Sequence, residues 1–239
     1  MNSLCYAFAM IDKDAGIFDT DSALSRLMEG AKNIGAERQN YHTMLEYFVP
    51  DTVFPKRDRG GTAVLELGCG KADGAIVLRT YFGDYTGTYG DRCIYFGIDL
   101  DEKAIDDAKR RYSYYEGQVS QGSTQIPGFT FFCGDATDLS TFPEIPTQVD
   151  ILVLRHQQIS SNAEVWKRML VGGIDKIAQG GVTLITSYSE VEHNMMVRLV
   201  QGLNLRGVEI VKNEKNSNST SLSYEKISRD NFVLVLKKS

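Results

Sequence analysis

Cysteine and histidine are scarce in this sequence. The four cysteines, Cys5, Cys69, Cys93 and Cys133, stand apart with no pair at zinc-ligand spacing, and the three histidines, His42, His156 and His193, do not complete a set. A structural metal is not expected. The last three cysteines sit in or beside apolar runs, as reduced core thiols do, which fits a cytoplasmic setting. An excess of positive charge is also lacking. A formal net charge of -5 over 239 residues gives no general grip on phosphate backbones, so nucleic acid is a disfavoured partner. Apolar runs are short: the opening "LCYAFAMI" meets Asp12, Lys13 and Asp14 at once and has no basic leader, so neither a membrane span nor a signal peptide is expected. What is present, 42% hydrophobic and 24% charged residues, suffices for one domain with a sizeable core.

Residues 1–60 have helical character. Leu24, Leu27, Met28 and Ala31 fall three and four apart, as do Tyr41, Leu45 and Phe48, and "VPDTVFPKRDRGG" then breaks the pattern. This segment is expected to be a helical extension or lid on a domain spanning 61–239. Within that domain apolar runs recur at Thr62–Leu67, Ile94–Ile98, Phe129–Cys133, Val149–Leu154 and Val182–Thr186, continuous as in parallel strands covered on both faces. Helical stretches at Ala72–Phe82, Glu102–Tyr115 and Ala163–Ala178 lie between them, with another near Val191–Gln201. The alternation predicts an α/β, doubly wound Rossmann-like sheet with helices on both faces. "GVEIVK" and "NFVLVLKK" leave no room for a crossover helix, so they predict a C-terminal antiparallel hairpin and about seven strands in all. The polar stretch 214–230 between them is expected to be a mobile loop.

"AVLELGCGKADGA", Ala63 to Ala75, runs a strand into a glycine-rich corner and then towards a helix, where backbone can approach a ligand closely. A dinucleotide fingerprint starting at Gly68 would need glycine or alanine at position 73, where Asp73 stands and would oppose a pyrophosphate. Glu66 has no role in that fingerprint. A ligand carrying amino, hydroxyl and adenine groups suits a corner rich in carboxylates better.

With "LELGCG" ending strand one, "FGIDLDEKAI" ending strand two and "FFCGDATDL" after strand three, the chain resembles the class I S-adenosylmethionine-dependent methyltransferases. The three motifs reach from about Ala63 to Leu139, and the later strand pattern continues the match. The resemblance implies that Gly68, Cys69 and Gly70 lie against the methionine portion of S-adenosyl-L-methionine, with Glu66 beneath it near the amino group. Asp99, with Leu100 beside it, would pair with the ribose hydroxyls, and Asp135 would accept from the adenine amino group that Ala136 borders. Tyr41 is placed to reach the cofactor carboxylate, as a tyrosine does in some members, or else packs with Leu45 and Phe48. The third glycine expected soon after Gly70 is replaced by Ala72, with Gly74 two further on.

Methyl transfer is an in-line displacement, so the protein mainly aligns a nucleophile and excludes water. The loop after strand four, "VLRHQQISSNAEVW", borders the same crevice. It lacks the Asn or Asp with prolines and an aromatic that members methylating adenine or glutamine nitrogen carry there. His156 is the candidate general base, since an imidazole with an ordinary pKa of about 6.5 suits proton removal near neutral pH, or else it tethers the loop. Arg155 is a candidate for an anionic part of cofactor or substrate, or a partner for a nearby acid. Glu190 and Glu192 are assigned to solvent. The predicted activity is methyl transfer to an unidentified small-molecule or protein acceptor. The alternative is a catalytically inactive S-adenosylmethionine-binding protein that acts as an interaction partner. An aminopropyl transferase would call for an acid where Arg155 stands.

Overall fold

The computed structural model of the chain describes residues 35–54, 61–85, 93–119, 128–156, 158–217 and 230–239. The helix expected around Leu24–Ala31, and positions 218–229 of the expected loop, lie outside the described residues. A helix over 35–48 (α1) is followed by β1 (Thr62–Leu67), α2 (Ala75–Tyr85), β2 (Cys93–Asp99), α3 (Glu102–Val119), β3 (Phe129–Cys133) and β4 (Val149–Leu154). Next come α4 (Ala163–Lys176), β5 (Ile177–Ser187), α5 (Glu190–Leu203), β6 (Val208–Lys215) and β7 (Phe232–Lys238).

The strands form one sheet in the order β3-β2-β1-β4-β5-β7-β6. β1 to β5 pair in parallel, and β7 lies antiparallel between β5 and β6. The mostly parallel, doubly wound sheet with a C-terminal antiparallel pair is the architecture the sequence indicates. Both faces are covered. On one, Phe48 of α1, Leu78 of α2 and Ile105 of α3 pack with Val64, Tyr95 and Val153; on the other, Leu170 of α4 and Met196 of α5 pack with Leu65, Ile98 and Leu152. Burying each of the Val, Leu, Ile, Phe and Met side chains among these contributes about 1.5–3 kcal/mol, and double coverage explains why the strand runs are continuously apolar. Tyr81 of α2 donates its hydroxyl to Val49 O at 2.9 Å, which satisfies a carbonyl just past the end of α1. Among the described residues no helix is long and apolar enough to cross a membrane.

Several boundaries differ from expectation: α3 runs on to Val119, β5 begins at Ile177, and β6 extends to Lys215, into the expected loop. α2 begins at Ala75 rather than Ala72, because Ala72 takes a φ of +53°, a left-handed conformation that no right-handed helix contains. The fourth helix ends at Lys176 and passes into β5 without a loop. There the register with β4 shifts between Val149 and Ile151, and Gly181 comes so close to β4 that a Cβ would stand 2.6 Å from Asp150 O.

β1 pairs with β2 on one side and with β4 on the other, so the chain reverses its winding there and opens a crevice at the carboxyl ends of these strands.

Candidate ligand site at the strand ends

The turn after β1 is built from left-handed residues, Gly68 at φ +71°, Gly70 at +53° and Ala72 at +53°. Ala72 thus stands where the motif would carry glycine and adopts the conformation a glycine would supply. The Tyr112 hydroxyl of α3 holds it by donating to Ala72 O at 2.7 Å. Arg111 pairs with Asp73 and reaches Lys71 O, so the acid that argues against a pyrophosphate is tied to α3.

The N–H groups of Gly68 and Cys69 donate to Ile98 O at 2.9 and 3.0 Å. Asp99 at the tip of β2 then knits three strand ends together. Its Oδ2 accepts from Gly70 N at 2.7 Å, its Oδ1 from Asp101 N at 2.9 Å, and its carbonyl from Gly134 N at 2.9 Å. Each carboxylate oxygen keeps acceptor capacity beyond one backbone bond. A Cβ built on Gly70 would find no atom of the described residues within 4 Å, so among them the turn faces open space. Cys69 presents backbone rather than thiol. Its Sγ packs inward 2.9 Å from where a Cβ on Gly97 would be, and burial pushes its pKa up.

Leu100 is 71% exposed, unusual for an apolar side chain between two strand ends. Asp135 is exposed and accepts from Thr137 N at 2.9 Å, a bond that lowers its pKa, while Ala136 is buried behind it.

A second group lies beneath the turn. Glu66 is 2% exposed and accepts the Tyr95 hydroxyl. Burial pushes its carboxyl up to about 7, opposed by the Arg155 charge and the Tyr95 bond and reinforced by Asp230 and Asp73. The Arg155 guanidinium stands over the Tyr41 ring at 4.0 Å from its centroid. It donates to Asp230 Oδ2 at 2.9 Å. His156 Nε2 lies 3.0 Å from Asp230 Oδ1, the imidazole stacks on Tyr188 at 4.5 Å, and the His156 N–H reaches Thr186 Oγ1 at 3.3 Å. Against the burial that would raise it, Arg155 and His156 hold the Asp230 carboxyl far below the usual range. The Tyr41 hydroxyl is buried without a hydrogen-bond partner among the described residues, a costly arrangement that an incoming acceptor would relieve.

The fold therefore brings Gly68, Cys69, Gly70, Asp99 and Gly134 together at the rim, and Tyr41, Glu66, Arg155 and His156 around Asp230 below it. Glu192 departs from its solvent assignment: it accepts from Ser160 N at 3.1 Å and from the Ser160 hydroxyl, anchoring the loop after β4 to α5. Asp230 itself was not among the candidates from sequence. It ends a polar stretch 75 residues from Arg155, and no local spacing connects the two. Gly74 is tied to the same group, since a Cβ there would overlap Arg155 Nη1 and stand 2.9 Å from Tyr41 Cε1. Gly74→Ala is expected to destabilise the fold by about 2 kcal/mol through this overpacking, measured by urea unfolding. An unchanged midpoint would show that Arg155 can move aside freely.

No protein-family model matches the sequence, and no curated protein matches it. Solved structures do. The chain is similar to TrmN from Thermus thermophilus at 16% identity and a TM-score of 0.53, over 83% of this chain and 48% of that one. It thus spans about half the length of TrmN. It is similar to an rRNA methylase from Streptococcus thermophilus at 14% identity and a TM-score of 0.52, over 79% of this chain and 92% of that one. A third structure is Aeropyrum pernix fibrillarin in complex with natively bound S-adenosyl-L-methionine, at 14% identity and a TM-score of 0.50, over 83% of this chain and 74% of that one. At these identities the likeness establishes a shared fold, that of the Rossmann-like methyltransferases.

Proposed function

We propose that the chain binds S-adenosyl-L-methionine at the crevice above β1 and β2 and transfers its methyl group to an acceptor at the loop after β4. The observation that carries this reading is the meeting of Gly70 and Asp99. A turn facing open space is bonded to a carboxylate with acceptor capacity to spare, as a ligand with neighbouring hydroxyls requires.

In this reading Asp99 accepts from both ribose hydroxyls, Leu100 covers the adenine, and Asp135 accepts from the adenine amino group. Gly68, Cys69 and Gly70 bring backbone against the methionine portion. The Tyr41 hydroxyl, which has no partner among the described residues, and the Arg155 charge suit its carboxylate, and the Glu66 carboxyl, raised to about 7, suits its ammonium, which would draw out the carboxyl proton. Residues 1–60 are proposed as the cover of that end, supported by Tyr41. When bound, the cofactor supplies a methyl group activated by a sulfonium. The protein's own part is to align the acceptor, exclude water and, at His156 stabilised by Asp230, take a proton from an acceptor that carries one.

The acceptor is left at its class, a small molecule or a protein side chain. RNA is included in the test because solved proteins of this fold are named as RNA methylases. The binding-only alternative draws no support from the site. Free thiols at Cys69, Cys93 and Cys133 support a cytoplasmic setting. Transfer of labelled methyl into small-molecule, protein and RNA fractions of a cell extract separates these classes.

Calorimetry is expected to show binding of S-adenosylmethionine and its demethylated product but not of nicotinamide dinucleotides. Asp99→Asn keeps an acceptor while removing the charge, and should weaken binding about tenfold, since charge-assisted hydrogen bonds are about twice as strong as neutral ones. Dinucleotide binding without binding of the sulfonium compound would remove the family assignment. Undiminished affinity in the Asn variant would place the ribose partner elsewhere.

A further inference from the structure

Beside the first glycine of the turn stands Trp166, the one tryptophan of the sequence. Asn162 caps α4 through its side chain, which accepts from Val165 N at 3.3 Å, and so fixes the first turn of that helix, where Trp166 lies. The indole is pinned at one end, where Nε1 donates to Gln158 O at 3.0 Å in the loop after β4. At its other end Cη2 lies 3.8 Å from the position a Cβ on Gly68 would take, and the Met169 methyl lies 4.0 Å from the same point. Met169 is buried, and Trp166 is half-buried, packed against the edge of the same core cluster. The indole therefore borders the core on one side and the glycine turn on the other.

We infer that Trp166 is a positioning residue that forms the α4-side wall of the ligand site, setting the distance between the glycine turn and the loop after β4. This rests on the reading above, in which Gly68 meets the methionine portion. The indole limits how far a ligand at Gly68 can lean towards α4, and its bond to Gln158 transmits that limit to the loop that receives the acceptor. Large, rigid aromatics with one polar handle suit such a wall, because little rotamer freedom is lost on binding.

The parent protein supplies its own test, since its fluorescence excited at the indole comes from Trp166 alone. S-adenosylhomocysteine is titrated while tryptophan emission, acrylamide quenching and binding heat are followed in parallel. The expected result is a saturable emission change with the calorimetric midpoint, and a loss of about half the acrylamide quenching, because a pocket buries most of its ligand's surface and the wall it touches. Trp166→Phe should weaken binding about threefold to tenfold. Binding heat with unaltered emission and quenching would overturn the inference and leave the cofactor reading standing. Absence of both heat and spectral change would overturn both.

Discussion

Asp230→Ala will cost about 3 kcal/mol of unfolding free energy, the lower end of the range for removing one partner of a buried ion pair. The pair is well enclosed: the Arg155 and Asp230 side chains are 9% and 10% exposed. The substitution leaves a buried guanidinium without its carboxylate, removes the partner of His156 Nε2, and forces alanine into the left-handed conformation that Asp230 holds at φ +54°. The loss stays at the lower end because Glu66, whose pKa Asp230 raises and Arg155 lowers, will ionise more readily and supply part of the missing charge. Urea unfolding at pH 7 measures the effect. Asp230→Asn, which keeps one acceptor oxygen and tolerates the backbone, should cost roughly half as much. Because the Asp230 carboxyl is held far below its ordinary pKa, its contribution is complete above the usual aspartate range and fades as the pH falls below about 4. Parent and variant should therefore converge in acid. A variant as stable as the parent at pH 7 would mean that the pair contributes nothing net.

Glu66→Gln is expected to act in opposite senses on stability and on binding. The Glu66 carboxyl is raised from an ordinary 4.5 to about 7, mainly by burial. Between those values the folded state holds a proton that the unfolded chain has released, so stability falls as the pH rises through this window. The drop amounts to about 3 kcal/mol, at about 1.4 kcal/mol for each pH unit of difference. Glutamine does not ionise. Measured against the parent, the variant should gain about 3 kcal/mol at pH 8 relative to its standing at pH 4.5, and its cofactor affinity should fall by about tenfold or more for want of a charge facing the ammonium. Calorimetry in two buffers of different ionisation enthalpy should detect proton release on binding to the parent at pH 7 and none with the variant. A stability difference that does not vary with pH would place the titration of Glu66 outside this window.

The sheet and the rim of the site were legible in the sequence because their signals are local. A continuous apolar run marks a covered strand, and the residue that follows it is at the crevice by construction, as with Gly68 after Leu67 and Asp99 closing β2. The group beneath the rim was legible only in pieces. Tyr41, Glu66, Arg155 and His156 could each be singled out, but the acid that gathers Arg155 and His156 sits at the foot of β7, and nothing in a polar stretch distinguishes Asp230 from its neighbours until the sheet places β7 beside β5. Trp166 was hidden for a similar reason: its relation to Gly68 crosses from one helix to another strand's end. Ala72 shows the limit of composition as a guide, since tertiary bonds from Tyr112 impose the backbone that glycine would have offered freely.

The position of β7 also sets an order in time. Ribosomes deliver the chain from its amino end, at a pace that lets earlier elements associate before later ones emerge. β1 to β5 and their helices can assemble on the way, yet β6 has no place on the sheet until Phe232–Lys238 arrive to separate it from β5. Until then the outer edge of β5 is an unpaired template, and Arg155 is a charge awaiting its acid. A nascent chain halted before residue 230 would thus expose an adhesive strand edge together with Arg155 lacking the acid that Asp230 brings, whereas β7 covers the edge and carries that acid with it.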